Sequence, residues 1–167
     1  HWDAPGGHYV AATGMAMLAY MGWGVKHTDE PGPYQNSLTN AVKWMLKAER
    51  EGDMRASHTK YMLYDHGMAA IALAEAYALT KDPNLKPVVE RIVKFTVRAQ
   101  NPETGGWRYW PYGENGYNHR GDMSVTGWQI MALKSAQLGG IDVPPRSLNK
   151  ALQFMTDIDR KSTRLNS

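Results

Sequence analysis

The sequence predicts an all-α fold built from three consecutive helical hairpins, and three observations lead to this prediction. Six stretches carry apolar residues at helical spacing, and breaks rich in Gly, Pro or Asp separate them. The stretches alternate between a helix of small, apolar residues and a more charged, amphipathic helix. One short pattern occurs three times, each time at the beginning of a small-residue helix.

In the first hairpin, a helix over residues 10–21 is apolar on nearly every face, which indicates burial on most sides. Gly22 and Gly24 end it, and residues 27–34 fit a turn. The second helix is expected to begin near Ser37 or Thr39 and to end near residue 50. Its apolar residues form one stripe with lysines opposite, as on an amphipathic helix.

The other two hairpins follow the same alternation. The third helix is expected to begin near Asp65 or His66 and to end near residue 80, and the fourth covers about 86–100. Residues 54–64 fit either a loop or a short helix. The fifth helix covers about 122–137, and the sixth begins near Ser147 and is expected to stop at residue 158.

The repeated pattern is centred on Gly14, Gly67 and Gly127, which are 53 and 60 positions apart. It reads Thr-Gly-Met-Ala-Met-Leu, His-Gly-Met-Ala-Ala-Ile and Thr-Gly-Trp-Gln-Ile-Met in the three copies. A hairpin of this kind cannot bury its apolar helix alone, so the three copies are expected to stack. The small-residue helices then form an inner layer, and the charged helices form an outer layer facing water.

Residues 159–167 are interpreted as foreign to the protein. The segment Asp-Arg-Lys-Ser-Thr-Arg-Leu-Asn-Ser is what one reading frame of a common sequencing adapter encodes, and the apolar periodicity of the sixth helix stops where it begins. A natural basic tail is the alternative. The repeat domain is therefore expected to cover residues 1–158 and to be a fragment, since the chain also opens at His1 rather than at Met.

Charge and cysteine content exclude several functional classes. The formal net charge of +3 falls to +1 without residues 159–167, which carry three basic and one acidic side chain. Such a dispersed, nearly neutral charge does not support nucleic-acid binding or binding to a membrane surface, and no apolar run approaches the roughly 20 residues of a transmembrane helix. The absence of Cys excludes disulfides and a cysteine nucleophile. It also suits an oxidising compartment, so a periplasmic or secreted location is favoured over a cytoplasmic one.

The stretch over residues 100–129 joins the fourth and fifth helices and is unusually aromatic, with three Trp and three Tyr residues. Aromatic surface left in water stabilises nothing, so this loop is expected to fold back over a helix end.

The segment Gln100-Asn-Pro-Glu-Thr-Gly-Gly-Trp107 ends an outer helix and precedes an inner one. It resembles the Gln-x-x-x-Gly-x-Trp motif of squalene and hopene cyclases, from which it departs by one residue and a second glycine. The segment Ala4-Pro5-Gly6-Gly7-His8-Tyr9 is interpreted as a worn copy of residues 105–109. On these features the chain, over roughly residues 1–158, resembles the prenyltransferase and squalene-cyclase repeat superfamily, and most closely its uncharacterised bacterial repeat proteins.

The resemblance implies an α/α toroid of inner and outer helices. Full toroids of this superfamily have about six helix pairs, so three pairs imply a partial ring. The acid motif Asp-x-Asp-Asp of the cyclases does not occur, since Asp157-Ile-Asp159-Arg160 lacks the second aspartate of the pair. The zinc-binding Cys of the protein prenyltransferases is missing too. The six histidines show no metal-ligand spacing, so neither a metal nor a cofactor is expected.

The candidate ligand-binding residues lie at the beginnings of the inner helices and in the aromatic loop: Asp65, His66, Trp107, Arg108, Tyr109, Tyr112, His119, Asp122 and Trp128. Each also has a structural interpretation. The two aspartates suit helix caps as well as acids or ligand contacts, and His66 suits a hydrogen-bonded core residue. Arg108 suits a clasp on aromatic rings as well as an anion ligand. The aromatic side chains suit packing between repeats as well as a cage for an apolar or cationic ligand.

The leading hypothesis for function is a non-catalytic repeat scaffold. It would bind a small molecule, either an isoprenoid or a sugar, or a protein on its concave face. One alternative is a terpene cyclase-like enzyme whose acid motif lies outside this fragment, and another is a carbohydrate-active α/α toroid. An isoprenoid chain would need an apolar cavity, whereas a sugar would need the polar, aromatic loop over residues 107–122.

Overall fold

The computed structural model describes residues 1–2, 5–55, 62–116 and 120–165, and six α-helices form the framework of this part of the chain. They are α1 (Tyr9–Gly22), α2 (Pro33–Ala48), α3 (Met62–Thr80), α4 (Lys86–Arg98), α5 (Met123–Leu138) and α6 (Pro145–Leu165). The described residues form no β-strand, and a single antiparallel bridge joins Arg50 to Asp53. The predicted all-α class is confirmed.

Three helices have bounds that differ from the predicted ones. Helix α2 begins at Pro33, since a proline at the first helical position has its φ angle already set for the helix. Helix α3 begins at Met62, three residues before Asp65. Helix α6 begins at Pro145 and runs through the expected boundary at residue 158, because the following residues include no Gly or Pro to end it.

The inner helices α1, α3 and α5 pack side by side, with α3 in the middle. Helix α3 makes its most extensive contacts with α5 and α1, and 12 of its 19 residues are buried. Each of the outer helices α2, α4 and α6 packs against the inner helix that precedes it. This arrangement explains why the inner helices are apolar on several faces and the outer ones on a single stripe.

Two of the three repeated glycines lie where inner helices approach closely. A Cβ atom on Gly14 would lie 2.9 Å from the carbonyl oxygen of Met68, and one on Gly67 would lie 2.9 Å from the Cβ of Trp128. Gly127 differs, since a Cβ there meets no atom within 4 Å. The first two positions therefore exclude a side chain, whereas the third faces open space.

Each of the three hairpins also contains an equivalent hydrogen bond. In each, a backbone N–H from the loop before the inner helix donates to the side chain preceding the repeated glycine. The pairs are Trp2 to Thr13 Oγ1 at 3.0 Å, Met54 to His66 Nδ1 at 3.2 Å, and Trp107 to Thr126 Oγ1 at 3.0 Å. The repeat found in the sequence is therefore a structural repeat as well.

Gln100 ties the end of α4 to the beginning of α6. Its Nε2 donates to the carbonyl oxygens of Gly105 (2.8 Å) and Ser147 (2.9 Å), and its Oε1 accepts from the hydroxyl of Ser147 (2.7 Å). Gly105 has a φ of 80°, and a Cβ atom there would overlap the backbone of Lys150. The Gln and Gly of the motif thus hold successive outer helices together.

Glu49 occupies the corresponding place one repeat earlier. Its carboxylate accepts two hydrogen bonds from the guanidinium of Arg91 on α4, at 2.7 and 3.0 Å, and one from the backbone N–H of Gly52. The bonds from Arg91 are the largest cause of a pKa that lies below the ordinary value for Glu49. The Glu49–Arg91 ion pair therefore connects α2 to α4, as the side-chain amide of Gln100 connects α4 to α6.

Candidate functional site

The aromatic loop after α4 folds back over the N-terminal end of α3, as predicted. Trp107 is buried in the core, where its Nε1–H donates to the carbonyl oxygen of Thr96 at 2.8 Å. Further along the loop, the carbonyl oxygen of Tyr109 accepts from the backbone N–H of Leu63 at 3.1 Å. Trp107 therefore packs in the core, and Trp128 packs between repeats, where α3 meets α5.

Arg55 holds the outer part of this loop, although the sequence did not single it out. Its guanidinium pairs with Asp53 at 2.7 Å and with Glu114 at 3.0 Å, and it lies 6.0 Å from the ring of Trp110. Burial opposes its charge, but the bonds to the two carboxylates outweigh burial and raise the pKa of Arg55. These contacts connect the loops of two successive repeats.

Asp122 is the N-cap of α5, which confirms the structural interpretation. Its Oδ1 accepts from the backbone N–H groups of Ser124 (3.0 Å) and Val125 (3.1 Å). Burial favours the neutral acid, but hydrogen bonds from Ser124 and Val125, together with the charge of Arg108, outweigh it and lower the pKa of Asp122. The carboxylate therefore serves as the N-cap of α5.

Arg108 forms the predicted clasp on an aromatic ring. Its guanidinium carbon lies 5.3 Å from the ring centroid of Tyr109, which in turn stacks on Tyr64 at 6.2 Å. Tyr112 ties the loop back to α4 through its backbone N–H, which donates to the carbonyl oxygen of Ala99 at 3.0 Å. His119 lies outside the described residues.

His66 is a core residue. It is fully buried, its Nδ1 accepts from Met54, and its Nε2 lies 2.8 Å from the hydroxyl of Thr96. Because Nδ1 accepts, the proton sits on Nε2. Burial is the main reason that the pKa of His66 is lowered to about 4, so the ring is neutral at pH 7.

Asp65 does not cap α3, contrary to the cap interpretation, because the helix begins three residues earlier. Its side chain is fully buried, and its Oδ1 lies 2.8 Å from Nδ1 of His8. His8 immediately precedes α1 and makes no capping hydrogen bond, so its ring turns towards α3 instead. The His8 side chain remains 33% exposed, which leaves the pair accessible from one side.

An open groove of about 590 Å³ runs from this pair between α1 and α3. Its walls are apolar and come from both helices: Ala11, Ala12, Met15 and Met68. The rings of Tyr64 and Tyr109 line it as well. Ligand pockets in proteins usually have about 300–1,000 Å³ and apolar walls with a few polar groups, so the groove has the composition and size of a binding site.

Apolar side chains are exposed on all three inner helices. Met15 on α1 and Leu79 on α3 are 45% and 46% exposed, and Met131 and Leu138 on α5 are 46% and 82% exposed. Of these four residues, Met15 lines the groove.

The structure brings two of the nine candidate residues into the groove, Asp65 and Tyr109. His66 and Trp107 lie in the core, and Arg108 and Asp122 hold the loop. The sequence did not single out the groove residues His8, Tyr64, Met15 and Met68 as candidates. A signal for His8 was present, since it stands in the worn copy of the aromatic loop.

The chain matches a family model described as "Domain of unknown function (DUF6288)" over residues 12–161. The chain belongs to this family. No curated protein and no solved structure matches it. The DUF6288 match includes the groove residues Ala12, Met15, Met68 and Asp65 and begins four residues after His8. It ends three residues beyond the boundary expected at 158.

None of the described helices is both long and apolar enough to cross a membrane. Within the same residues, no three His, Asp or Glu side chains are grouped as a metal ion would require.

Proposed function

We propose that this DUF6288 domain is a binding module for an elongated, largely apolar ligand, which lies in the groove between α1 and α3. The observation that carries the proposal is the groove itself, with four aliphatic side chains along its walls and a His–Asp pair at one end. Apolar walls supply the free energy of binding, and a few polar groups orient the ligand.

The proposal includes a ring architecture in which the inner helices face a central cavity. The side-by-side packing of the inner helices, the hydrogen bond repeated in every hairpin and the Gln100–Ser147 tie support a partial α/α toroid of the prenyltransferase and squalene-cyclase type. The open space beside Gly127 suits a further inner helix, since Gly14 and Gly67 occupy equivalent positions against their neighbours.

The composition of the groove favours an isoprenoid-like ligand over a sugar. A sugar presents hydroxyls on all sides and would require several polar groups along the walls, whereas those walls are Ala and Met side chains together with the rings of Tyr64 and Tyr109. A binding role is also favoured over cyclase chemistry. Asp65, the carboxylate among the described lining residues, is hydrogen-bonded to His8.

The test is a titration with N-phenyl-1-naphthylamine, a neutral apolar dye that fluoresces when removed from water. Met15→Asp places a charge in the groove wall. Met123→Asp is the matched control, because Met123 on α5 is 40% exposed and outside the groove, compared with 45% for Met15. We expect Met15→Asp to weaken dye binding by about tenfold or more, and Met123→Asp to leave it unchanged.

Farnesol is expected to displace the dye, and maltotetraose is not. Equal affinity of both Asp variants would show that the dye binds elsewhere and would refute the proposed site. Displacement by the sugar rather than by farnesol would favour the carbohydrate-binding alternative.

A further inference from the structure

We propose that the His8–Asp65 pair recognises a hydroxyl group, so that the ligand of the groove is an apolar alcohol. This inference rests on the proposed function and adds the chemical identity of the ligand's polar end.

The first step is the position of the proton on His8. Asp65 is fully buried, and its carboxylate lies 2.8 Å from Nδ1 of His8. An ionised carboxylate only accepts hydrogen bonds, so Nδ1 carries the proton and donates to it. In the neutral ring the other nitrogen, Nε2, then has a free lone pair and acts as an acceptor.

The second step is access to Nε2. The ring is 33% exposed, and Nε2 makes no hydrogen bond to any residue in the described ranges. The edge of the ring that carries it faces Gly6, where a Cβ atom would lie 3.4 Å from Cδ2 and 3.7 Å from Nε2 of His8. Gly6 has a φ of 77°, a conformation that favours glycine. A side chain is therefore absent at the place where it would cover the acceptor.

The third step is the choice of ligand group. An acceptor at the end of an apolar groove pairs with a donor, and an alcohol supplies one O–H without a charge. A carboxylate or phosphate supplies no donor when ionised and would approach the negative charge of Asp65. An ammonium group would have to give up its hydration in the apolar groove. The neutral alcohol satisfies Nε2 at the lowest desolvation cost.

The experiment measures displacement of N-phenyl-1-naphthylamine from the full chain by n-decanol and by its isomer methyl nonyl ether. The two have the same atoms and nearly the same apolar area, but only the alcohol donates a hydrogen bond. We expect decanol to displace the dye at a concentration about tenfold lower than the ether, since a site built for a hydroxyl rejects analogues that lack it.

Two variants test the role of the pair. In Asp65→Asn, the amide can donate to Nδ1, which moves the ring proton to Nε2 and turns the acceptor into a donor. The ether should then compete as well as the alcohol. His8→Ala removes the imidazole at the residue before α1 and keeps the carboxylate of Asp65, and it should abolish the preference for decanol while the dye still binds.

The outcomes separate this inference from the proposed function. If decanol and the ether displace the dye equally well from the wild type, while Met15→Asp still weakens dye binding, the hydroxyl site is refuted. The apolar groove then remains supported as the binding site. A preference for decanol that survives His8→Ala also refutes it, and so does displacement by decylammonium or decanoate at lower concentration than decanol. Dye binding that Met15→Asp leaves unchanged refutes the groove as the binding site as well.

Discussion

Replacing each repeated glycine by alanine separates close helix packing from helix propensity. All three glycines lie inside inner helices, where alanine is the better helix former by about 1 kcal/mol. They differ in what the added methyl group meets. At Gly14 it would lie 2.9 Å from the carbonyl oxygen of Met68, a backbone atom held by α3, whereas at Gly127 nothing lies within 4 Å.

The expected changes in the free energy of unfolding have opposite signs. Gly127→Ala should stabilise the chain by about 0.5–1 kcal/mol, because only the propensity changes. Gly14→Ala gains the same propensity but forces α1 and α3 apart, and overpacking of this kind costs about 1–3 kcal/mol. The two variants should therefore differ by about 1–3 kcal/mol. Gly67→Ala should also destabilise, because its methyl group would lie 2.9 Å from the Cβ of Trp128.

The assay is urea unfolding followed by circular dichroism at 222 nm, a wavelength that reports roughly on helix content. A change in the midpoint with an unchanged slope against urea shows a change in stability alone. Gly127→Ala is the matched control, since it makes the same chemical change in the same repeat position. Equal stabilisation of Gly14→Ala and Gly127→Ala would refute the argument that α1 and α3 need the glycine to approach.

Two further predictions concern buried polar groups. Because burial lowers the pKa of His66 to about 4 from 6.5, the unfolded chain takes up a proton between these pH values that the folded chain does not. The free energy of unfolding should therefore fall by about 3 kcal/mol from pH 7 to pH 4, and His66→Thr, which copies the other repeats, should remove most of this slope in urea titrations at several pH values. Gln100→Glu places a carboxylate oxygen against the carbonyls of Gly105 and Ser147, which Gln100 now satisfies. It should destabilise the chain at pH 7 by about 2 kcal/mol or more, and an unchanged thermal midpoint would contradict the role assigned to this tie.

The local features of the fold could be predicted because they depend on neighbouring residues. Asp122 caps α5 through the backbone N–H groups of Ser124 and Val125, and a carboxylate before an apolar helical pattern already indicates this. The small residues around Gly14 and Gly67 indicated an inner layer, because close packing of helices requires them at fixed spacing. These determinants are short-range or periodic, so they are visible in the chain itself.

The candidate site depended on residues far apart in the sequence. His8 and Asp65 are separated by 57 positions, and they meet because α1 and α3 pack side by side with their N-terminal ends together. His66 looked equally suitable in the sequence, yet one step along the helix turns its ring into the core. Residue order therefore determined the helices, their caps and the repeat. Only the tertiary packing decided which histidine reaches the groove, because whether a side chain enters the core or the groove depends on where the neighbouring helix lies.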